Sequence, residues 1–372
     1  MKKKVLVAMS GGVDSSVAAY LLKKEGYEVI GATMKLFCYG EKGASPKSCC
    51  SLEAINDAKA VCEKLGIAHY VMNYEKEFER EVISNFTREY LRGRTPNPCI
   101  RCNQLIKFDY LLKKSQELGC EYLATGHYAQ ISPLTVIPAR QRSGKHPAGI
   151  QSTNNNPYKL LRGIDDTKDQ TYFLYRLRQE QLARLLFPLG ELKKNEVREL
   201  AKEAGLKTAE KRESQGICFV DGEVSDYLKG IVKAKKGNIL DTKGKRVGEH
   251  EGAVFYTIGQ RKGLGGGFTE PLYVLDINIK KNTITIGEDN DLYKNEVEFE
   301  DTSWVSGEYP ESTRGLKAVI RYGSMQPAKI VKLEKADKKY KAVFKEKVRA
   351  VTPGQAIVFY RGDECLGGGI IC

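Results

Sequence analysis

A glycine-rich heptad and a set of spaced cysteines are the parts of this chain whose residue types and order could do chemistry. Ser10-Gly11-Gly12-Val13-Asp14-Ser15-Ser16 follows the apolar run Lys4 to Met9 and precedes a stretch with Val17, Ala18, Leu21 and Leu22 at helical spacing. Small residues at a strand-to-helix turn let backbone N–H groups close on an anion at the helix N-terminus, so this loop suits phosphate. It has no lysine of the Walker kind to neutralise β- and γ-phosphates, which argues against ordinary γ-phosphate transfer. Asp14 offers a carboxylate that can bring Mg²⁺ to the phosphates.

The thiols are Cys99 and Cys102, spaced Cys-x-x-Cys within Gly93-Arg94-Thr95-Pro96-Asn97-Pro98-Cys99-Ile100-Arg101-Cys102-Asn103, and the distant Cys218 in Glu213-Ser214-Gln215-Gly216-Ile217-Cys218-Phe219. The first segment reads as a Pro-rich basic loop, in which Arg94, Arg101 and Lys107 would lower a thiol pKa and make it reactive. Taken alone, the same pair is half a zinc site. Cys218, between Ile217 and Phe219, would in isolation be a small buried hydrophobe. Cys38, Cys49, Cys50, Cys62, Cys120, Cys365 and Cys372 show no complete metal-ligand pattern.

The elements that must position these groups alternate in type. Strand patterns at Lys4–Met9, Glu28–Leu36, Ala68–Asn73 and Glu121–Thr125 are separated by helical patterns at Ser15–Lys24, Leu52–Leu65, Glu75–Leu91 and Gln104–Leu118. This predicts an α/β domain, a doubly wound parallel sheet with ligands beyond the carboxyl ends of its strands. Ser132 to Tyr158 loses periodicity and reads as a long, mobile loop, after which Gln179–Leu186 and Asn195–Ala204 read as helices. Past Phe219 the pattern turns to short strands: Gly237–Asp241, Ala253–Thr257, and Leu272–Ile277 with Thr283–Ile286 predict a small β-rich central domain. Leu316–Tyr322, Ala328–Leu333, Tyr340–Phe344 and Ala356–Tyr360 predict a C-terminal small β-barrel, a shape that often presents loops to RNA. The expected domains are 1–219, 220–290 and 291–372.

Composition narrows the class. With 372 residues, 41% hydrophobic and 29% charged, the chain is neither disordered nor collagen-like, and it can bury a core without disulfides. No run approaches the roughly 20 apolar residues of a membrane span, and no signal-peptide core follows Met1, so a cytoplasmic protein with reduced thiols is expected. Lys and Arg number 60 against 47 Asp and Glu, a net +13 that suits a polyanion such as nucleic acid.

The heptad after an N-terminal strand is similar to the PP-loop of ATP pyrophosphatases, which adenylate a carbonyl oxygen and release pyrophosphate. Together with the two cysteine segments it closely resembles the tRNA-specific 2-thiouridylase family. Further family-like motifs follow in order: Ala124-Thr125-Gly126-His127-Tyr128, Asp165 to Phe173, Tyr256 to Leu264, Arg321-Tyr322 and Pro353-Gly354-Gln355-Ala356. The resemblance implies a PP-loop, adenine nucleotide alpha hydrolase-like catalytic fold and ATP-dependent thiolation of the wobble uridine of tRNA at C2, with lysine, glutamate and glutamine acceptors as substrates. It implies ATP and Mg²⁺ as cofactors and a sulfur-donor protein, such as a cysteine desulfurase or relay protein, as partner. By the same resemblance Ala8, Met9, Ser10, Gly11, Gly12, Val13, Asp14, Ser15, Met34 and Gly126 bind ATP. Cys218 carries a persulfide and Cys102 is its nucleophilic partner, the two ending as a transient disulfide. Asn97, Pro98, Cys99, His127, Lys168, Asp169, Gln170, Arg321, Tyr322 and Gln355 meet the tRNA. Many relatives carry Asp where this chain has Cys99, so any proton-transfer role there is in doubt, and Cys99, Cys102 and Cys218 could instead ligate a [4Fe-4S] cluster that binds sulfide. A PP-loop synthetase acting on a small metabolite would want an ammonia source rather than paired thiols. An RNA-binding or iron–sulfur protein with a vestigial loop would not keep the heptad intact.

Overall fold

A computed structural model describes residues 2–37, 51–133, 158–211, 216–265, 270–323 and 327–372. Cys38, Cys49, Cys50, Glu213, Ser214 and Gln215, and the expected mobile loop over 134–157, lie outside the described residues.

The first sheet is wholly parallel. β1 (Lys4–Ala8), β2 (Glu28–Lys35), β3 (Ala68–Asn73), β4 (Tyr122–Ala124) and β7 (Leu185–Leu186) lie in the order β3-β2-β1-β4-β7. The strand order reverses between β1 and β4, and a crevice opens at that point beyond the strands' carboxyl ends. β1 is buried at its centre because Val5, Leu6 and Val7 face helices on both sides. Helices α1 (Val13–Lys24) and α2 (Leu52–Leu65) flank it, α2 capped by Ser51 accepting from the Ala54 N–H and closed by Gly66 in the left-handed region. Two longer helices, 75–91 and 98–117, each contain a stretch with widened i→i+5 hydrogen bonding, Glu79–Ile83 and Cys102–Leu111.

Two strands extend the N-terminal region toward the other end of the chain. β5 (Ala129–Pro133) and β6 (Tyr158–Arg162) pair antiparallel, so the two ends of the stretch expected to be irregular are strands. β6 then pairs with β17 (Glu364–Ile371), setting Leu161 opposite Glu364 and Leu160 opposite Cys365. β12 (Tyr293–Trp304), β13 (Leu316–Val319), β14 (Ala328–Ala336), β15 (Lys339–Arg349), β16 (Ala356–Arg361) and β17 form an antiparallel barrel, order β12-β15-β14-β13-β16-β17, closed by β17 on β12. Between the two lies a small sheet, order β10-β11-β8-β9, of β8 (Gly237–Leu240), β9 (Arg246–His250), β10 (Tyr273–Asn278) and β11 (Thr283–Gly287). Among the described residues no helix is long and apolar enough to cross a membrane.

Three local expectations fail for tertiary reasons. Gln179–Leu186 is not one helix: it ends at Leu182, and the buried pair Leu185-Leu186 joins the parallel sheet beside β4. Ala253–Thr257 is a tight helical turn, Ala253–Phe255, rather than a strand, because Phe255 and Tyr256 are buried in an apolar cluster with Phe86 and Tyr90 of the 75–91 helix. The Cys-x-x-Cys segment is the start of a helix at Pro98, not a loop. β9, β12 and β17 were not expected at all: β12 and β17 carry charges or three consecutive glycines and are strands only because the barrel pairs them.

Candidate functional site

The glycine-rich loop forms one wall of a cavity of about 550 Å³ at the reversal point of the sheet. Gly11 has φ +68°, and a Cβ there would lie 2.2 Å from the Ala54 carbonyl oxygen at the start of α2, so only glycine lets the loop lie this close. The loop is pinned from within: the Ser10 N–H donates to Ser15 Oγ at 3.1 Å, and Ser16 Oγ–H donates to the Gly12 carbonyl at 2.8 Å. The first N–H groups of α1 have no partner inside the helix and present partial positive charge to the cavity. Gly126, after β4, approaches the same helix end, and a Cβ there would meet Asp14 C and Ser15 N at 2.8 Å. Ala8, Met9, Ser10, Asp14, Ser15, Met34 and Gly126 all line the cavity; Gly11, Gly12 and Val13 complete the turn beside it.

Asp14 does not stand alone. Lys194, at the start of the helix Lys194–Glu203, places Nζ 2.7 and 2.9 Å from its two carboxylate oxygens, and the Tyr128 hydroxyl donates to Oδ1 at 2.7 Å. The lysine is buried and lies 180 positions from its partner, which no local pattern in the sequence reveals.

The opposite wall holds the thiols. Asn97 caps the 98–117 helix, its side-chain oxygen accepting from the Cys99 N–H at 3.1 Å with Pro98 in the first turn. The i→i+5 stretch starts at Cys102, a distortion that often marks functional sites. Cys99, Cys102 and Cys218 all line the cavity and are half-buried. Cys102 and Cys218 pack against one apolar cluster that includes Phe78, Phe86 and Phe219.

The expected basic environment is thinner than the sequence suggests. Arg94 is paired with Glu89 at 2.9 Å and Glu300 at 3.5 Å, and Arg101 donates to the Glu81 carbonyl at 2.6 Å, so both guanidiniums are held by acids and carbonyls. Lys107 is the one Lys or Arg among the cavity-lining residues described. Nor do the three cysteines form a ligand set: among the described residues, no group of three His, Cys, Asp or Glu side chains is placed to hold a metal ion.

Of the other expected residues, His127 and Gln170 share the cavity, and so do Asn103 and Phe173, to which the sequence reading assigns no role. Asn103 is buried and donates to the Phe173 carbonyl at 3.2 Å. His127 Nδ1 and Thr125 Oγ1 are hydrogen-bonded at 2.7 Å, and the ring packs between Phe108 and Phe187. Burial, then the charge of Lys107, holds the imidazole pKa well below its usual value, so the ring is neutral at physiological pH. Gln170 accepts from the Tyr128 N–H at 3.0 Å. Asp169 turns inward, accepting the Thr171 hydroxyl at 2.8 Å and the Gly163 N–H at 3.4 Å, with burial pushing its carboxyl pKa up. Its carboxylate organises the turn, and Lys168 beside it is half-buried and outside the cavity lining. Arg321 and Tyr322 are exposed on the barrel, and the Tyr322 ring lies 4.3 Å from that of Phe173. Gln355 lies farther off, its amide donating to the Thr95 carbonyl at 2.7 Å, while the Thr95 N–H donates to the Pro353 carbonyl at 2.8 Å. These bonds tie the barrel to the segment that leads into Cys99.

The chain matches three family models in series: a tRNA methyl transferase HUP domain over residues 3–222, a tRNA methyl transferase PRC-barrel domain over 225–288, and an aminomethyltransferase beta-barrel domain over 294–371. It is 48% identical to a tRNA-specific 2-thiouridylase MnmA of Carboxydothermus hydrogenoformans, covering 100% of this chain and 98% of that protein. Relatives of the same name from Clostridium botulinum and Clostridioides difficile are each 46% identical, again over 100% of this chain and 98% of theirs.

Proposed function

The chain belongs to the tRNA-specific 2-thiouridylase family, and from that membership we propose that it uses ATP to replace the C2 oxygen of the wobble uridine of tRNA by sulfur. The observation that carries this reading is a single cavity whose walls hold both the glycine-rich loop and the two thiols Cys102 and Cys218.

The loop amides and the N-terminus of α1 take the phosphates, and Met9, Met34 and Gly126 border the adenosine part. ATP supplies the leaving group: the C2 oxygen of the uridine attacks the α-phosphorus, pyrophosphate departs, and the oxygen now leaves as AMP. Asp14 is the loop's hard oxygen donor for the Mg²⁺ that accompanies the triphosphate, once Lys194 yields its carboxylate. Preorganised N–H groups favour the charge that builds on the departing pyrophosphate.

Sulfur comes from a persulfide on Cys218, loaded by a sulfur-donor protein. Its terminal sulfur attacks C2, AMP leaves, and a Cys218–S–S–C2 bridge remains. The Cys102 thiolate then attacks the Cys218 sulfur, so 2-thiouridine departs and a Cys102–Cys218 disulfide forms, which an external dithiol reduces. The apolar cluster behind both thiols shields the persulfide from water. Lys107 brings a positive charge to the cavity, and neutral His127 offers hydrogen bonds to the base without a competing charge.

Residues 1–219 act as the catalytic unit, with 220–290 and 291–372 as tRNA-contacting units. Asn97, Pro98 and Cys99 border the reacting base. Lys168, Gln170, Arg321, Tyr322 and Gln355 contact the anticodon arm, with Asp169 holding the turn that presents its neighbours.

Purified protein given ATP, a sulfur donor and unthiolated tRNA is expected to release AMP and pyrophosphate in step with 2-thiouridine, read by nucleoside mass spectrometry. Turnover without tRNA would point to a small-molecule synthetase, and none in folded protein to a binding module.

A further inference from the structure

The glycine-rich loop contains no lysine, yet the fold delivers one to it. Lys194 comes from the helix Lys194–Glu203, which packs on α1 through the cluster that joins Val197 and Ala201 to Val17 and Ala18. Its main chain is fixed: the Lys194 N–H donates to Asp165 Oδ2 at 2.9 Å, and Asp165 Oδ1 takes the Thr167 hydroxyl at 2.6 Å and N–H at 3.1 Å. Only the four-carbon stem is left to move. The side chain is 10% exposed, and an ammonium this deep requires a counter-charge, here Asp14. Asp14 in turn sits in the first turn of α1, on the cavity wall where phosphates would meet the helix N-terminus.

We propose that Lys194 is the phosphate cation of this loop, stored on Asp14 in the nucleotide-free chain and passed to the β- and γ-phosphates of a bound nucleoside triphosphate. The proposal rests on the reading that the loop binds ATP. A triphosphate carries several negative charges where Asp14 carries one, so the ammonium gains by changing partner. The same exchange releases the Asp14 carboxylate, with the Tyr128 hydroxyl still on it, for the divalent cation that travels with the nucleotide. No bond is made or broken; one ion pair is traded for two. The arrangement explains how a loop without its own lysine holds a pyrophosphate leaving group, and why a buried lysine is spent on an aspartate.

Calorimetric binding of ATP, AMP and inorganic pyrophosphate to the full chain tests this. Lys194→Met is expected to weaken ATP and pyrophosphate about 30-fold, or about 2 kcal/mol at 1.4 kcal/mol per tenfold, as for one charge-assisted contact. AMP, which lacks the β- and γ-phosphates, should weaken less than about threefold, well under one such contact. Without Mg²⁺, Asp14→Asn should bind pyrophosphate at least as tightly as the parent chain, since the competing carboxylate is gone, while Asp14→Asn with Lys194→Met stays weak. Thermal melting of each variant shows that it is folded. Equal losses for AMP and pyrophosphate, or a double variant restored to the parent affinity, would mean that Lys194 only neutralises Asp14, and would overturn the proposal. A parent chain that binds no ATP would instead overturn the functional reading beneath it.

Discussion

The two walls of the cavity are built in different ways. The nucleotide wall is one short stretch of chain, residues 8–15, shaped by a glycine that packs on α2 and by hydroxyls that bond back to its own carbonyls. The thiol wall is assembled from segments around residues 98–107, 170–173 and 216–222 together with His127, and the barrel meets its edge where Tyr322 lies on Phe173. A contiguous wall can be rigid before anything binds, whereas a composite wall depends on how well its suppliers are docked. Substitutions should therefore separate by wall: nucleotide affinity on one side, chemistry and RNA affinity on the other.

The largest separation is expected from the thiols. Cys218→Ser or Cys102→Ser should abolish 2-thiouridine formation while tRNA affinity, measured by filter binding, stays within about twofold, because a thiol-to-hydroxyl swap removes little contact area. Loss of tRNA binding with either variant would break the division. Gly126→Ala should act on the other wall. Its new Cβ would press on backbone atoms at 2.8 Å, and an overpacking cost of about 1–3 kcal/mol predicts a loss of ATP affinity of about fivefold or more with tRNA affinity kept.

Tyr322→Ala probes the edge where the barrel meets the thiol wall. The ring is 45% exposed, and losing one stacking surface is worth about 1–3 kcal/mol per base, so tRNA affinity should fall roughly tenfold with ATP affinity unchanged. An unaltered tRNA affinity would remove the barrel from the site.

The smallest effect is on stability against pH. His127 binds protons less readily folded than unfolded, so its contribution is fully present above the ordinary pKa of about 6.5 and is lost as pH falls below it. His127→Asn should flatten the decline of melting temperature between about pH 7 and pH 5, although His69 and His250, also held below their usual pKa by burial, keep part of the slope. An unchanged slope would place His127 in a wetter site than its ring contacts indicate.

Much of this was legible in the residues. The parallel strands, the helices beside them, the glycine-rich turn and most barrel strands follow from periodicity of 2 or 3.6 and from turn residues, all properties of neighbours in the chain. What failed was whatever depended on distant partners. Leu185-Leu186 looks helical until the sheet edge claims it. Arg94 and Arg101 look like a basic loop until Glu89, Glu300 and Glu81 are seen beside them.

By itself, then, the sequence determined the alternating α/β layer and the glycine-rich turn, because each is written in residue types at short, regular spacing, and its motifs carried the resemblance to the family. Only the tertiary structure decided that Cys102 and Cys218 pack against one cluster, that β6 joins the barrel at β17, and that Lys194 reaches Asp14. The reason is physical: such contacts are selected by how helices and sheets bury their faces together, and burial over long chain separations leaves no local periodicity to read.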